Sequence, residues 1–298
     1  VIRAVVIVNP AAGGGRTARV WRRLRDVMAA TLPVDHAETR GPDDATRLAR
    51  EAVAAGARLV ISVGGDGTLN EVINGVRSAG TPAAVGAVLT GRGADACRNF
   101  GVPRDPFAAV RALADGRDAR FDLGRAEWSD GRCRWFASAA GAGFDAAVAA
   151  RARTSTLSGT LPYLVAALTT VWRQRPTDVV LECDDGAPRS IAVTAVIAAN
   201  GRCFGGGMRI APAADPADAR LDVVVVGALG RLELLRWLPT MYRGAHVRHP
   251  RVRVRRARWV RLAGAALPTH IDGEPAAPTP VRFTVEPGAL RLRVPSGA

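Results

Sequence analysis

The segment Val60-Ile61-Ser62-Val63-Gly64-Gly65-Asp66-Gly67-Thr68-Leu69-Asn70-Glu71-Val72-Ile73 decides how the rest of the chain is read. An apolar run of strand character ends in a glycine-rich turn, and the turn opens into helical spacing. Leu69, Val72, Ile73 and Val76 recur at i, i+3, i+4 and i+7, one buried stripe. Thr68 and Glu71 have the spacing of a capping box and mark the helix start. The reading is a strand, a phosphate-sized loop and a helix. Missing side chains at Gly64, Gly65 and Gly67 let a ligand approach the backbone, where N–H groups and the positive end of the helix dipole favour an anion. Asp66 inside the loop would repel a bare phosphate, so it implies a divalent cation or a proton-transfer role beside the anion. The competing reading is an Asp-Gly turn that only closes the strand.

The 298 residues suffice for one large or two ordinary domains. Lys and Arg outnumber Asp and Glu by 41 to 27, a formal net charge of +14, and all of the 41 are arginine. Without lysine there is no Walker-type phosphate lysine, no Schiff base and no kinase-type lysine, so any cationic clamp on phosphate must be arginine. The positive balance favours an anionic partner, whether nucleic acid, an acidic lipid surface or a phosphorylated small molecule. Cys97, Cys133, Cys183 and Cys203 lie far apart and read as reduced thiols. The histidines are equally scattered, which gives zinc or Ser-His-Asp chemistry little support. No apolar run nears the roughly 18 residues that suggest a membrane span. Residues 5–8 are too short for a signal-peptide core, and a leader ahead of Val1 is left open.

Taken in order, residues 5–8 form a β-branched run that ends at Asn9-Pro10 and a second glycine loop, Gly13-Gly14-Gly15-Arg16. A helix follows, with Val20, Trp21, Leu24, Val27 and Met28 on its apolar face. The amide of Asn9 at a strand end suits a nucleotide contact, and Arg16 suits a phosphate. Further strands are expected at 34–39 and 83–89, with a helix bearing Leu48, Ala49, Ala52 and Val53 between the first of these and the opening strand. Alternating strands and helices imply βαβ crossovers and a parallel sheet covered on both faces. Ligands bind beyond the carboxyl ends of such strands. A third loop there, Gly91-Arg92-Gly93-Ala94-Asp95, makes three that converge.

Near Arg120 to Asp122 the rhythm changes to short runs separated by turns, read as antiparallel strands at 124–128, 132–139, 177–183 and 189–199. A further strand is expected at 221–226, and others at 269–271, 281–285 and 290–294, with a hairpin at Pro287-Gly288. Helices are expected at 144–151, 161–173 and 232–242. The stripe Leu161, Leu164, Val165, Leu168 and Trp172 is read equally as core or as acyl-chain contact. Residues 249–261 read as one strand with an arginine face, either a charged edge or a surface for anionic lipid headgroups. Nucleic acid is set aside, since few aromatics are interleaved and no recognisable module is present.

Asn9-Pro10 followed by Gly13, the Gly64-Gly65-Asp66-Gly67-Thr68 loop, Gly91 with Asp95, and Asp272-Gly273-Glu274 together resemble the diacylglycerol kinase catalytic-domain family. That family includes sphingosine and ceramide kinases and soluble bacterial lipid kinases. The resemblance runs on through Phe121-Asp122-Leu123-Gly124, Gly143-Phe144-Asp145-Ala146 and the segment from Asp218 to Asp222. It implies an N-terminal nucleotide-binding α/β domain like that of NAD kinases, a parallel sheet with helices on both faces. It also implies a mainly antiparallel β-sandwich C-terminal domain and an active site in the cleft between the two. The division is placed at 1–123 and 124–298, with the last strand free to return to the first domain. By the same resemblance, Gly64 to Thr68 would hold the ATP phosphates, with Asn9 nearby on the nucleotide; Arg16, Gly91, Arg92 and Asp95 complete the candidate nucleotide contacts. Asp272 matches the family's proposed general base, and Glu274 follows it. Asp66, Asp95 and Asp122 would join a network around Mg2+, and Asp218 matches an aspartate of a structural Mg2+ region. Two departures stand out. The family's third loop usually reads Gly-Thr-x-Asn-Asp, whereas here Arg92 offers a guanidinium instead, and Ala219 replaces the glycine that commonly follows the family's aspartate.

The expected activity is transfer of the γ-phosphoryl group of ATP, with Mg2+, to a hydroxyl of a diacylglycerol-like or sphingoid-like lipid. The alternatives are a nucleotide or lipid sensor that lost activity through its altered third loop, and an NAD-kinase-like enzyme. The expected setting is cytoplasmic, with transient contact to an anionic membrane surface, no nucleic acid partner, and a homodimer left open.

Overall fold

The computed structural model describes residues 3–32, 34–91, 93–153, 161–173, 175–184 and 186–296. The chain divides into two compact units, one made of Val1–Phe121 with Gly288–Ala298 and the other of Asp122–Pro287. In the first unit the order is β1 (Ala4–Val8), α1 (Ala12–Thr31), β2 (Val34–Glu38), α2 (Asp44–Ala54), β3 (Leu59–Gly64), α3 (Asp66–Ser78), β4 (Ala84–Leu89), α4 (Asp95–Phe100) and α5 (Pro106–Asp115). The strands lie in the order β2-β1-β3-β4, all parallel. Every residue of β3 and β4 is buried, as helices on both faces require. Val6, Val8, Ile61, Val63 and Val88 pack with Trp21, Leu24 and Met28 of α1 and with Val110 and Leu113 of α5. Elsewhere in this unit α2 meets α3 so closely that a Cβ at Gly75 would lie 2.3 Å from the carbonyl oxygen of Thr46, so only glycine fits there.

Leu69, Val72, Ile73 and Val76 are buried, as their spacing predicts. The helix they belong to, α3, begins at Asp66 after an extended Gly65, three residues earlier than the capping-box reading placed it, and no side chain caps it. The side chains of that box bond elsewhere: Glu71 Oε2 accepts the backbone N–H of Ala45 at the start of α2, and Thr68 Oγ1 accepts from Asn9.

The second unit opens within β5 (Arg117–Trp128). It continues through β6 (Cys133–Phe136), β7 (Ala139–Gly143), α6 (Phe144–Arg153), α7 (Leu161–Val171), β8 (Thr177–Cys183), β9 (Arg189–Ala199), β10 (Leu221–Gly227) and α8 (Arg231–Trp237). Two 3-10 turns, Leu238–Arg243 and Ala245–Arg248, lead to β11 (Val252–Ala257), β12 (Trp259–Gly264), β13 (Thr269–Ile271), β14 (Glu274–Ala276) and β15 (Val281–Val294), whose last residues belong to the first unit. The pairings within this unit are antiparallel. Along β9 and β10 both faces are buried. Val196, Ala198, Val223 and Val225 enter the sandwich core. Ala195, Ile197, Ala199 and Val224 enter a second core with Phe144, Val148, Val171, Leu234 and Leu238 from the helices. The fold is thus an α/β domain with a parallel sheet and a β-sandwich domain, the class the sequence implies.

Several elements differ from their sequence reading. Residues 249–261 form two strands rather than one, turned at Arg258, where the backbone N–H groups of Arg258 and Trp259 donate to Asp184 Oδ1. Pro287-Gly288 makes no hairpin. It lies inside the continuous β15, which pairs with β12 through Val281 to Thr284 and with β4 through Leu292. The helix expected at 232–242 gives way to a 3-10 turn from Leu238, where Pro239 removes an N–H donor. In α7 the small residues Ala166 and Ala167 face the core with Val171, while Val165 and Leu168 are 42 % exposed and Trp172, just past its end, is 59 % exposed. Leu161 and Leu164 of the same stripe have side chains outside the described residues. No helix among the described residues is long and apolar enough to cross a membrane.

Candidate active site

In the first unit, the loops after β1, β3 and β4 meet backbone to backbone. A Cβ at Gly91 would lie 2.8 Å from the Cα of Gly65, and one at Gly13 would lie 3.1 Å from the carbonyl oxygen of Thr90. Gly13, Gly14 and Gly15 all have positive φ, which lets the first loop fold against the third without side-chain clash. A Cβ at Gly64 would lie 2.5 Å from Thr68 Oγ1. Asn9 ties the first loop to the second, its Nδ2 donating to Thr68 Oγ1 at 3.0 Å while its Oδ1 accepts the backbone N–H of Ala11. Asn9, Gly64, Gly65, Asp66, Gly67, Thr68, Gly91 and Asp95 therefore share one end of the parallel sheet. Arg16 is exposed on α1, and Arg92 lies outside the described residues.

Asp66 reaches across to the third loop, where its Oδ1 accepts the backbone N–H of Ala96 in the first turn of α4. Asp95, the first residue of that helix, is ion-paired with Arg98 at 3.0 Å. A Cβ at Gly93 would lie 2.8 Å from Asp66 Oδ2 and 3.9 Å from Asp95 Oδ2, so both carboxylates lie beside the same glycine and the nearer one needs its missing side chain. Two carboxylates beside a phosphate-sized loop suit Mg2+, which takes one or two protein carboxylates and completes its shell with water and substrate phosphate. Among the described residues no group of three or more His, Cys, Asp or Glu is placed to hold a metal by itself. The nearby Cys97 thiol is pushed up to about 11, first by burial and then by the charge of Asp66, so it is inert as a nucleophile.

The second unit holds Asp122, Asp218, Asp272 and Glu274. Asp122 is buried at 3 % exposure, and its Oδ2 accepts the backbone N–H of Ala219 at 2.7 Å. Ala219 has φ of 59°, which accounts for the glycine the family prefers there. Asp218 accepts the N–H of Arg220 and is ion-paired with Arg256. Those partners brace the turn at Asp218 and Ala219. Asp222, on β10, is shifted upward by burial, against the pull of the Arg256 charge.

Asp272 and Gly273 form the tight turn between β13 and β14, with φ of 46° and 84°. The carboxylate of Asp272 is fixed by three backbone donors, the N–H groups of Ala137, Ser138 and Ala139 at 2.8 to 2.9 Å. Glu274 follows as the first residue of β14. The hairpin-turn reading and the carboxylate reading of this segment thus describe the same feature.

Sequence reasoning missed what stands behind that turn. His270, on β13 and fully buried, bonds Asp145 Oδ2 through Nε2 at 2.9 Å, accepts the N–H of Gly273 on Nδ1 at 3.2 Å, and stacks on Phe204. Asp145 was visible only as part of Gly143-Phe144-Asp145-Ala146, with no role attached. It lines an apolar cavity of ≈ 1030 Å³, part of it open to solvent, whose walls include Phe144, Val148, Ile197, Leu234 and Trp237. The cavity lies wholly within the second unit, among the helices and the outer face of β9 and β10.

Comparison with known proteins places this geometry. Residues 3–126 match the family model of the diacylglycerol kinase catalytic domain, and residues 138–294 match that of the YegS C-terminal NAD kinase beta sandwich-like domain. A diacylglycerol kinase of Mycobacterium tuberculosis (strain ATCC 25618 / H37Rv) is 35 % identical over 301 residues, covering 98 % of this chain and 95 % of the relative. A protein named "Probable lipid kinase YegS-like" from Chromohalobacter salexigens is 30 % identical over 260 residues, covering 86 % of this chain and 82 % of its own. The crystal structure of a diacylglycerol kinase from Bacillus anthracis str. Sterne shares the fold, with a TM-score of 0.75 at 20 % identity over 98 % of this chain and 97 % of that one. The chain therefore belongs to the family of diacylglycerol kinases and YegS-like lipid kinases, and it is a phosphotransferase.

Proposed function

We propose that the protein transfers the γ-phosphoryl group of ATP to a hydroxyl of a diacylglycerol-like or sphingoid-like lipid. The observation that carries this reading is the apolar cavity of the second unit, in a chain whose first unit gathers three glycine loops at one end of a parallel sheet. A soluble nucleotide acceptor would find few polar partners in such walls. The loop from Gly64 to Thr68 would hold the phosphates, with Asn9 fixing its first helical turn and Arg16 and Arg92 as the available cations. Mg2+, held by Asp66 and Asp95, would screen the charge on the transferring group. Asp272, with its carboxylate oriented by three N–H donors, would accept the proton of the lipid hydroxyl, and Glu274 would stand beside it. Asp122 and Asp218 would brace the loop between β9 and β10 instead of binding metal.

The exposed face of Val165, Leu168 and Trp172 supports contact with a bilayer, and the exposed arginines of β11 support an anionic one. Incubation with labelled ATP, Mg2+ and fractionated lipids tests the reading. Labelled lipid is expected. ATP binding with no labelled product would favour the sensor instead, and labelled NADP from NAD would favour the nucleotide kinase.

A further inference from the structure

His270 stands behind the turn that carries Asp272, and both of its ring nitrogens are engaged. Gly273 donates its backbone N–H to Nδ1 at 3.2 Å, and Nε2 lies 2.9 Å from Asp145 Oδ2. An N–H is met by a lone pair, so Nδ1 is unprotonated and the proton of the ring sits on Nε2, donated to the carboxylate. The tautomer is set from both sides. The ring is fully buried and lies flat on Phe204, with 4.7 Å between centroids and 11° between planes. Gly141 pairs with His270 across β7, and a Cβ there would come within 2.9 Å of Nε2. The ring is thus fixed in place as well as in protonation.

What the ring holds is the backbone from which Asp272 projects. Asp272 has φ of 46° and Gly273 of 84°, and a residue with a Cβ enters that left-handed region only at a cost. The N–H of Asp272 donates to the carbonyl oxygen of Ala139 at 2.9 Å, and the next N–H, that of Gly273, is taken by His270. The N–H groups of Ala137, Ser138 and Ala139 set the rotation of the carboxylate, whereas His270 sets the turn beneath it. We infer that His270 is a positioning residue for phosphoryl transfer, whose Nδ1, kept an acceptor by the bond from Nε2 to Asp145, locks the turn and so aims Asp272. Being fully buried, the ring acts through Asp272 and not on the substrate. This rests on the reading of Asp272 as general base and adds the residue that orients it. A displacement of about 1 Å in a reacting group costs about 10²-fold in rate.

Three substitutions separate the two nitrogens. His270→Asn keeps an oxygen at the place of Nδ1 and loses the donor to Asp145. His270→Gln keeps a donor within reach of Asp145 and loses the acceptor for Gly273. His270→Phe keeps the stack on Phe204 and loses both. The full chain is assayed with labelled ATP, Mg2+ and dispersed diacylglycerol, at a temperature where each variant is folded. The Gln and Phe variants should lose about ten- to a hundredfold in kcat with KM for ATP unchanged, and the Asn variant should stay within about threefold of the parent. Combined with Asp272→Asn, His270→Phe should lower kcat no further, because it acts through a carboxylate already lost, whereas a merely structural defect would lower it in both backgrounds. Amide hydrogen exchange at Gly273 gives a second readout that needs no turnover. It should be slow in the parent and the Asn variant and about tenfold faster in Gln and Phe. Equal exchange in all four, an Asn variant as slow in turnover as Phe, or an undiminished effect of His270→Phe beside Asp272→Asn would overturn the inference. Should the Phe variant fail to fold, the contrast of Gln with Asn decides. Unchanged turnover in Asp272→Asn would overturn the base reading and the inference with it, while a slow Asp272→Asn beside parent-like His270 variants would overturn the inference alone.

Discussion

Asn9 Nδ2 donates to Thr68 Oγ1 across 3.0 Å, joining residues 59 apart in sequence and fastening the end of β1 to the first turn of α3. Asn9→Ala removes that fastening from two loops that would share the nucleotide. The Michaelis constant for ATP should rise about tenfold, with a loss of stability of about 1 kcal/mol from the missing hydrogen bond. ATP titration of initial rates, alongside a denaturant melt, measures both.

Asp272→Asn should lower turnover by about 10²- to 10⁴-fold if Asp272 is the general base. The fold will register the change too. The carboxylate accepts three backbone N–H groups, and the amide replaces one accepting oxygen with a donor, at a cost of about 1–3 kcal/mol. Rates are therefore compared at a temperature where both proteins are folded. Unchanged turnover there would remove Asp272 from the role.

A Cβ at Gly141 would stand 1.8 Å from Asp145 Oδ2 and 2.9 Å from His270 Nε2, so Gly141→Ala must displace the pair. A stability loss of about 1–3 kcal/mol is expected from the overpacking, together with lower turnover as the turn at Asp272 loosens. Gly41→Ala serves as the control, since nothing lies within 4 Å of its Cβ position, and it should stay within about 0.5 kcal/mol of the parent.

Burial lowers the pKa of His246 from its ordinary 6.5, opposed by its hydrogen bond to the carbonyl of Ile210. The unfolded chain then binds a proton near pH 6.5 that the folded chain refuses. The stability contributed by the neutral ring is full above that pH and declines as the pH falls through it, by at most about 1.4 kcal/mol per unit. Denaturant melts between about pH 7.5 and 5.5 should show a shallower decline in His246→Gln than in the parent. Identical slopes would place the acid sensitivity elsewhere.

The parallel half of the fold was legible because its signals are local. β3 is a continuous apolar run, and Leu69, Val72, Ile73 and Val76 keep helical spacing on one buried face. The helix start was misplaced because the hydroxyl of Thr68 bonds to Asn9, a partner that no local pattern reveals. In α7 the apolar stripe left core and acyl-chain contact equally open, because spacing alone does not tell an inward face from an exposed one; the close-packed side is built of alanines, and Val165 and Leu168 stand exposed. β14 went unread because three residues centred on Pro275 leave too short a pattern. The glycine loops showed themselves in sequence. The Asp145 and His270 pair did not, since its members stand 125 residues apart and each is unremarkable alone.

The last strand has a consequence for synthesis. The first unit is begun by residue 4 and is completed only by the segment from Gly288 onward, where Leu292 pairs with β4, Arg293 bonds Asp118 and Ser296 bonds the carbonyl of Asp115. While the ribosome is still making the sandwich, the edge of β4 awaits its neighbour, exposed to wrong partners. A chain cut off after Pro287 would therefore injure the half of the protein made first, leaving its parallel sheet one strand short.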